Sequence, residues 1–533
     1  MTNTPADRQA AADRQAIAAS GASALLSVAL ITSLFRLWFA WRLPITGDEA
    51  YFFYWGINPD WGFYDHPPMV GWWLAALSAL SHEPFWLRLP ALLLPLILAW
   101  VAYRIVRVQA PAAAYAAATL VLLLPLNAWN VAITTDIPLI VFAALTLWAY
   151  LRALQSDRAL DYVLCGLALG GALLSKYFAG ILALAIASHF LMQLKLTQPT
   201  GARLRGLAWI VLFSLPAVLI QIGWNSQNCW PNVMFNLVNR HEGAGLSWRT
   251  PLLYLATVAY VLTPWVLYWL LKRPPAVEQR PPAVELTQRM QQSALARIAL
   301  FAFLVFLALS LVKTIGLHWV ASFVLPGLLW FVLRANATQR QRAIYWGSAF
   351  ALLHYLVIII ALGVPLETYQ SWRNYPGLVM TLDPKGIEQA LEPYRGPPQQ
   401  RLALASDGYS PAVTIGFNLR QYAFVFGPGS SHARHDDILT DARQLAGKDI
   451  LIVRRDPLAG ADDARYFERT VVKQVSVRGA AFYLTQGFGF KYEPYRDAVL
   501  DQVRQRYYAV PRWLPAGPCY FCDRYFTDRA CHR

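Results

Sequence analysis

Charge is scarce in this chain. Only 14% of its 533 residues are Asp, Glu, Lys or Arg, whereas soluble domains carry roughly 25%, so an ordinary water-soluble domain is excluded as a description of the whole. Cysteine is scarce too: five residues are too few for a disulfide-built scaffold. Acid is scarcer than base, 31 against 46, giving a formal net charge of +15. The bases do not form one compact basic surface, which argues against nucleic acid as a partner. They fall in short clusters between apolar runs, the signature of membrane topology.

What is present is hydrophobic length. Stretches such as Ala24 to Ala40, Leu89 to Tyr103 and Ala343 to Leu362 carry almost no charge and are long enough to span a bilayer. At about 20 residues per crossing, spans are expected near 23–41, 89–106, 112–130, 137–153, 160–175, 177–194, 207–224, 250–271, 298–314, 319–334 and 343–363, or about eleven transmembrane helices. The short fifth and sixth share a break at Ser175 and Lys176 and suit a hairpin. The polar segment 1–22 lacks a compact basic region and a small-residue cleavage site, so it reads as the cytoplasmic start of an uncleaved signal anchor.

The base-rich loops containing Arg104 and Arg107, Arg152 and Arg158, Lys195 to Arg205, Lys272 to Arg297, and Arg334 to Arg342 are cytoplasmic by the positive-inside rule. The alternate loops carry Asp48, Glu49, Asp60, Asp65, Asp136 and Glu242 and face the opposite side. An odd number of crossings places the C-terminus there as well. Trp55, Trp61, Trp72 and Trp73 lie near these ends, where indole rings suit the interface.

Residues 23–363 therefore read as a transmembrane domain, with a first outer loop at 42–88 and a proline-rich cytoplasmic linker at 272–297. The linker repeats RPPAVE in tandem from Arg273 to Glu285, a proline density that opposes helix and sheet alike. From 364 to 533 short apolar runs alternate with Gly, Pro and Asp, predicting a small α/β outer domain with a Cys-containing tail. Cys165 and Cys229 lie in or beside apolar segments and read as packing. Cys519 and Cys522 form a CxxC followed by Cys531 and His532, which fits a disulfide, a metal knuckle or an unstructured end.

The first outer loop gathers the residues most suited to chemistry. Asp48 and Glu49 stand one step past the first span, where a carboxylate either accepts a proton from an incoming hydroxyl or simply ends a solvated helix. Tyr64, Asp65 and His66 precede Pro67 and Pro68, whose fixed φ stiffens the segment. His66 can donate to phosphate, join Asp65 in binding a divalent cation, or be merely hydrogen-bonded. No cofactor is demanded by these motifs, and that cation is left open.

Asp136 begins an apolar helix, as a cap or as a second working acid. Lys176 interrupts a mostly apolar run from Tyr162 to Leu194 and must find an anion, water or the interface. A lipid phosphate would satisfy it. Arg240, His241, Asn225 and Asn239 in a later outer loop, with Arg88, Lys313 and His318 at the edges of spans, offer further donors for an anionic headgroup.

The order of these segments, GDEAYFFYWG, FYDHPPMVGWW, FWLRLPALL, TTDIPLIVF, LLSKYFAG, WN…CWPNVMFNLVNRH and LHWVASFVLPGL, resembles bacterial glycosyltransferase family 39, which groups protein O-mannosyltransferase relatives with lipid A aminoarabinose transferases in the GT-C architecture. The resemblance spans roughly residues 24–330. It implies a multi-pass inner-membrane enzyme whose active face is periplasmic. It also implies inverting transfer of a sugar from a polyprenyl-phosphate donor to lipid A, another envelope glycan or a protein. The family's first acid falls on Asp48 and its second on Asp136, with Lys176 and Arg240 at the donor phosphate. Metal dependence does not carry over, because Asp65-His66-Pro67-Pro68 departs from the family pattern. A flippase of lipid-linked sugars, moving lipid without covalent transfer, is the competing expectation.

Overall fold

A computed structural model describes residues 5–196, 201–241, 245–272, 282–457 and 463–528. Glu242, most of the proline-rich repeat, and Cys531 with His532 lie outside the described residues. The chain forms two compact units: residues 1–41, 88–218 and 244–361 make the first, and residues 42–87, 219–243 and 362–533 the second. Residues 42–87 thus fold with the C-terminal residues in one unit, where the loop 42–88 was expected with the transmembrane domain.

Seven helices among the described residues have the length and apolarity to cross a membrane: Ala19–Arg42, Pro84–Gln109, Asp136–Ser156, Arg203–Ser226, Gln288–Ser310, Leu317–Arg334 and Ala337–Gly363. An eighth span is possible by length if Arg249–Leu262 and Pro264–Leu271, bent by 100° at Thr263, count together. The chain is thus a polytopic helical membrane protein, with fewer spanning-length helices described than the eleven expected. Two expected spans are shorter helices, Ala159–Leu173 and Ala179–Leu196.

The third expected span is broken. Its helix ends at Leu122 and a short helix, Pro125–Trp129, follows, because proline disfavours helical backbone at the residue before it. Buried Arg36 supplies donors at this break. Its guanidinium bonds the carbonyls of Asn127, Asn130 (2.9 Å) and Ala91 (2.6 Å). Hydropathy alone detects neither the break nor its repair. The linker is likewise shorter than expected, because Pro282–Ser310 is one helix.

The second unit contains a five-stranded sheet of order β2-β1-β3-β5-β4. Strands β1 (Ala403–Ser406), β2 (Ala423–Val425) and β3 (Ile450–Arg454) are parallel; β5 (Ala480–Phe488) and β4 (Arg469–Val477) add antiparallel edges. Every residue of β3 is buried, as a central strand covered on both faces requires. The helix Gly47–Ile57 buries eight consecutive residues, Glu49 to Gly56, and lies close against the helix Tyr409–Asn418. A Cβ at Gly47 would collide with Ser410 Oγ, and one at Gly416 would stand 2.7 Å from the Tyr54 hydroxyl.

Cys229 and Cys519 form a disulfide across 290 residues of sequence, so Cys229 is a cross-link and not a packing residue. Cys522 is disulfide-bonded as well, which removes the metal-knuckle reading of the CxxC; Cys165 is buried and free. A cross-link closing so long a loop constrains the unfolded chain strongly. The double substitution Cys229→Ser/Cys519→Ser is expected to destabilise the second unit by about 2–5 kcal/mol, read as a lowered thermal midpoint in detergent, with wild type and variant converging once both are fully reduced.

Candidate active site

In the second unit, Thr46 and Glu49 close a capping box at the start of the Gly47–Ile57 helix. The Glu49 backbone N–H donates to Thr46 Oγ1 at 3.3 Å, and Glu49 Oε2 accepts from the Thr46 N–H and hydroxyl at 3.1 Å. Glu49 is buried and held by this cap, which turns its neighbour outward. Asp48 is exposed, and its Oδ1 accepts a hydrogen bond from the Tyr409 hydroxyl at 3.2 Å. Crowding by surrounding protein raises the Asp48 carboxyl above the usual aspartate value, while the Tyr409 bond opposes that rise and the nearby Asp65 charge adds to it.

Asp65 has the opposite environment. It is buried, accepts from Tyr51 Oη at 3.2 Å, and lies 3.5 Å from His66 Nδ1. Burial pushes its carboxyl up, but His66 and hydrogen bonding outweigh that and hold it below the ordinary value. Tyr51 Oη in turn accepts the His435 backbone N–H at 3.2 Å. The His435 ring is packed edge-on to Phe63 and Trp55, and burial there lowers its pKa to about 3 despite Asp65. No group of three or more metal-ligating side chains occurs among the described residues. Asp65 and His66 supply two ligands, short of a cation cage.

Several expected headgroup donors are engaged by the scaffold. Asn225 donates to Gln221 O at 2.8 Å and accepts from the Asn232 N–H at 3.1 Å. Tyr64 is buried, its hydroxyl accepting from Asn239 at 3.4 Å. Arg240 is half-buried, its guanidinium 5.6 Å from the Phe235 ring centre. The side chain of His241 lies outside the described residues.

In the first unit, Lys176 Nζ binds both carboxylate oxygens of Asp136, at 2.8 and 2.9 Å, and both residues are buried. The cation interrupting an apolar run therefore has its anion inside the protein. Asp136 is the first residue of its helix, and the preceding Thr135 makes no side-chain cap, so pairing rather than capping occupies the carboxylate. Arg88 is fully buried and donates to Ala40 O at 2.8 Å. His318, on the short helix Leu317–Val320, packs edge-on to Trp319.

Sequence reasoning missed Tyr409, Tyr51 and His435. No local signal ties Tyr409 to Asp48, 361 positions away; only the sheet unit brings them together.

Spanning-length helices with an acid-bearing segment built into a sheet unit define a multi-pass membrane protein of mixed helical and α/β construction. Residues 65–224 match the family described as dolichyl-phosphate-mannose-protein mannosyltransferase. A stretch of 134 residues is 31% identical to the lipid A galacturonosyltransferase RgtD of Rhizobium johnstonii, covering 24% of this chain and 28% of that protein. The chain thus spans less than a third of this curated relative. ArnT from Cupriavidus metallidurans shares the fold in its apo state, with a TM-score of 0.60 at 14% identity over 88% of this chain and 98% of ArnT. With undecaprenyl phosphate bound, ArnT matches at a TM-score of 0.57 and 15% identity, over 86% and 97% respectively. The resemblance to membrane glycosyltransferases drawn from the ordered motifs is borne out.

Breaking the buried pair with Lys176→Met is expected to destabilise the first unit by about 3–5 kcal/mol, because it strands the Asp136 charge, whereas Lys176→Met/Asp136→Leu regains most of that loss; thermal unfolding of both variants in one detergent reads the difference. His435 gives a pH signature. Its folded value, about 3, lies below the ordinary 6.5, so the unfolded chain binds the proton first and stability falls as pH drops below 6.5, by up to about 1.4 kcal/mol per pH unit. Asp436 works the other way, since burial raises it to about 6 and the stability it adds in acid is lost as pH rises through that value. The His435→Asn variant is therefore expected to show a shallower loss of thermal midpoint on acidification than wild type, and identical slopes would contradict the neutral His435.

Proposed function

We propose that this protein is an inverting membrane glycosyltransferase that moves a sugar from a polyprenyl-phosphate donor to an acceptor hydroxyl or amine, with Asp48 as the general base. The observation that carries this reading is the Asp48 environment: an exposed carboxylate at a helix start, oriented by Tyr409 and raised above the usual aspartate value. A carboxylate that binds a proton more tightly than usual is the better base. The reactive acceptor atom attacks the anomeric carbon as the bond from that carbon to the phosphate oxygen breaks. Asp48 takes the acceptor proton, and the polyprenyl phosphate leaves with the electron pair.

A phosphate leaving group needs cations more than it needs an acid. Arg240, in the same unit as Asp48, takes that role in this reading. An apolar cavity of about 180 Å³ in the first unit, lined by Tyr254, Leu267, Phe303 and Trp330 among others, suits part of a prenyl chain. The undecaprenyl phosphate bound to ArnT and the lipid A named for RgtD support this donor and acceptor class. Disulfides in the second unit favour an oxidising compartment, hence an inner-membrane protein whose second unit and active face are periplasmic.

The test is transfer of labelled sugar from a polyprenyl-phosphate donor to envelope acceptors by the purified protein in nanodiscs. Asp48→Asn is expected to lower turnover by about 10²–10⁴-fold, with undecaprenyl phosphate binding retained and an acid limb in the wild-type rate profile above the ordinary aspartate value. Full transfer by Asp48→Asn would remove the base assignment. Lipid movement without covalent transfer would favour a flippase.

A further inference from the structure

A cavity of about 720 Å³ in the second unit lies outside every motif considered above. Its lining follows the ends of the parallel strands: residues 407–411 after β1, 426–430 after β2, and 454–457 at the end of β3. Because β1 lies between β2 and β3, the chain leaves β1 for one neighbour and later returns on its other side. Connections that part in this way leave a crevice at the carboxyl ends of the strands, where open α/β sheets bind ligands.

The lining chemistry is balanced. Arg454, Arg455 and Arg465 are matched by Asp407, Asp456 and Asp463, with Arg454 and Asp463 paired at 2.8 Å. Such a wall selects neither a simple cation nor a bare anion. It offers forked donors and carboxylate acceptors together, the complement of a ring bearing several hydroxyls. Tyr409, Phe426 and Tyr466 add aromatic surface for the apolar faces of a sugar. Gly427 and Gly429, both at positive φ, keep one rim free of side chains so that backbone can approach a ligand closely. The volume lies in the range of small-ligand sites. An extended peptide would instead pair along a strand edge, and this cavity lies across strand ends.

One residue joins the cavity to the chemistry: Tyr409 lines it and donates to Asp48 at 3.2 Å. We propose that the cleft holds the saccharide head of the acceptor and presents it along Tyr409 to Asp48, which makes the acceptor a glycan or glycolipid and not a protein. This rests on the glycosyl-transfer reading above.

The test uses the full chain in nanodiscs and a soluble probe, the glucosamine disaccharide of deacylated lipid A, with and without its phosphates. Inorganic phosphate and a Ser/Thr-rich peptide are the comparison ligands. Two variants alter the cleft differently: Arg455→Ala/Asp456→Ala removes polar lining, and Ala498→Trp narrows the rim from an exposed position. Both disaccharides are expected to bind wild type by calorimetry and to bind each variant about tenfold more weakly or less, with undecaprenyl phosphate affinity and thermal midpoint unchanged. Equal disaccharide affinity in wild type and both variants would overturn the cleft, as would preferential binding of the peptide or binding of the phosphorylated probe matched by inorganic phosphate alone. Transfer assays separate the two readings. Saccharide binding that the variants abolish, with no transfer by wild type, sinks the glycosyltransferase reading and leaves the saccharide site; transfer with unchanged KM in both variants sinks the cleft alone.

Discussion

Hydrocarbon offers no hydrogen bonds, and this constraint governs the first unit. Any backbone group freed by a helix break, and any charge carried into an apolar run, needs a partner from the protein itself. Arg36 answers the first need. Its planar fork reaches three carbonyls from two separate stretches, something a Lys point charge does less well. Asp136 and Lys176 answer the second by neutralising each other at a helix start and at the turn between two short helices. The pair leaves neither charge exposed to the apolar surroundings.

The second unit obeys a different constraint, that of a sheet covered by aromatic side chains. Tyr64 from the 42–87 segment and Cys229, Met234 and Phe235 from the later loop share one core with Phe426, Phe467 and Tyr508. The disulfide fastens the later loop to the chain's last described turn-and-helix segment. The acid-bearing loop is therefore no flexible appendage of a membrane helix. Its helix has the rigidity of a packed element, which is what a base needs if its distance to a reacting hydroxyl is to be fixed.

Much of this was legible from residue order. Long uncharged runs announce spanning helices, and Asp48 stands out because an acid directly after such a run has few reasons to be there. The TGDE sequence also spells the capping box that takes up Glu49 and leaves Asp48 outward, a distinction that reading the two acids as a pair overlooks. Hydropathy expects more spans than the described residues form as long helices, because it sums apolarity without sensing the break before Pro125 or the 15-residue length of Ala159–Leu173. Lys176 was legible as a buried cation but its partner was not, since 40 residues separate it from Asp136. Tyr409, His435 and the cleft at the strand ends were hidden for the same reason: they depend on strand order, and no local pattern encodes that order.

The two acids of the first loop that remain after Glu49 is assigned to its cap are separated by their surroundings. Asp65 is shielded, bonded by Tyr51 and stabilised as an anion beside His66. A carboxylate stabilised in that way is a weaker base, and its burial leaves little room for a substrate hydroxyl. Asp48 has an exposed carboxylate, a raised proton affinity, and a single described side-chain hydrogen bond, from Tyr409, which also lines the 720 Å³ cavity of the unit. Tyr409 has its own proton held more tightly by burial and by Asp48, so it remains a donor and does not compete for the role of base. The two acids differ in setting: Asp65 and Tyr51 fix the loop against the His435 backbone, and Asp48, turned outward by its neighbour's cap, is the carboxylate proposed above as the base.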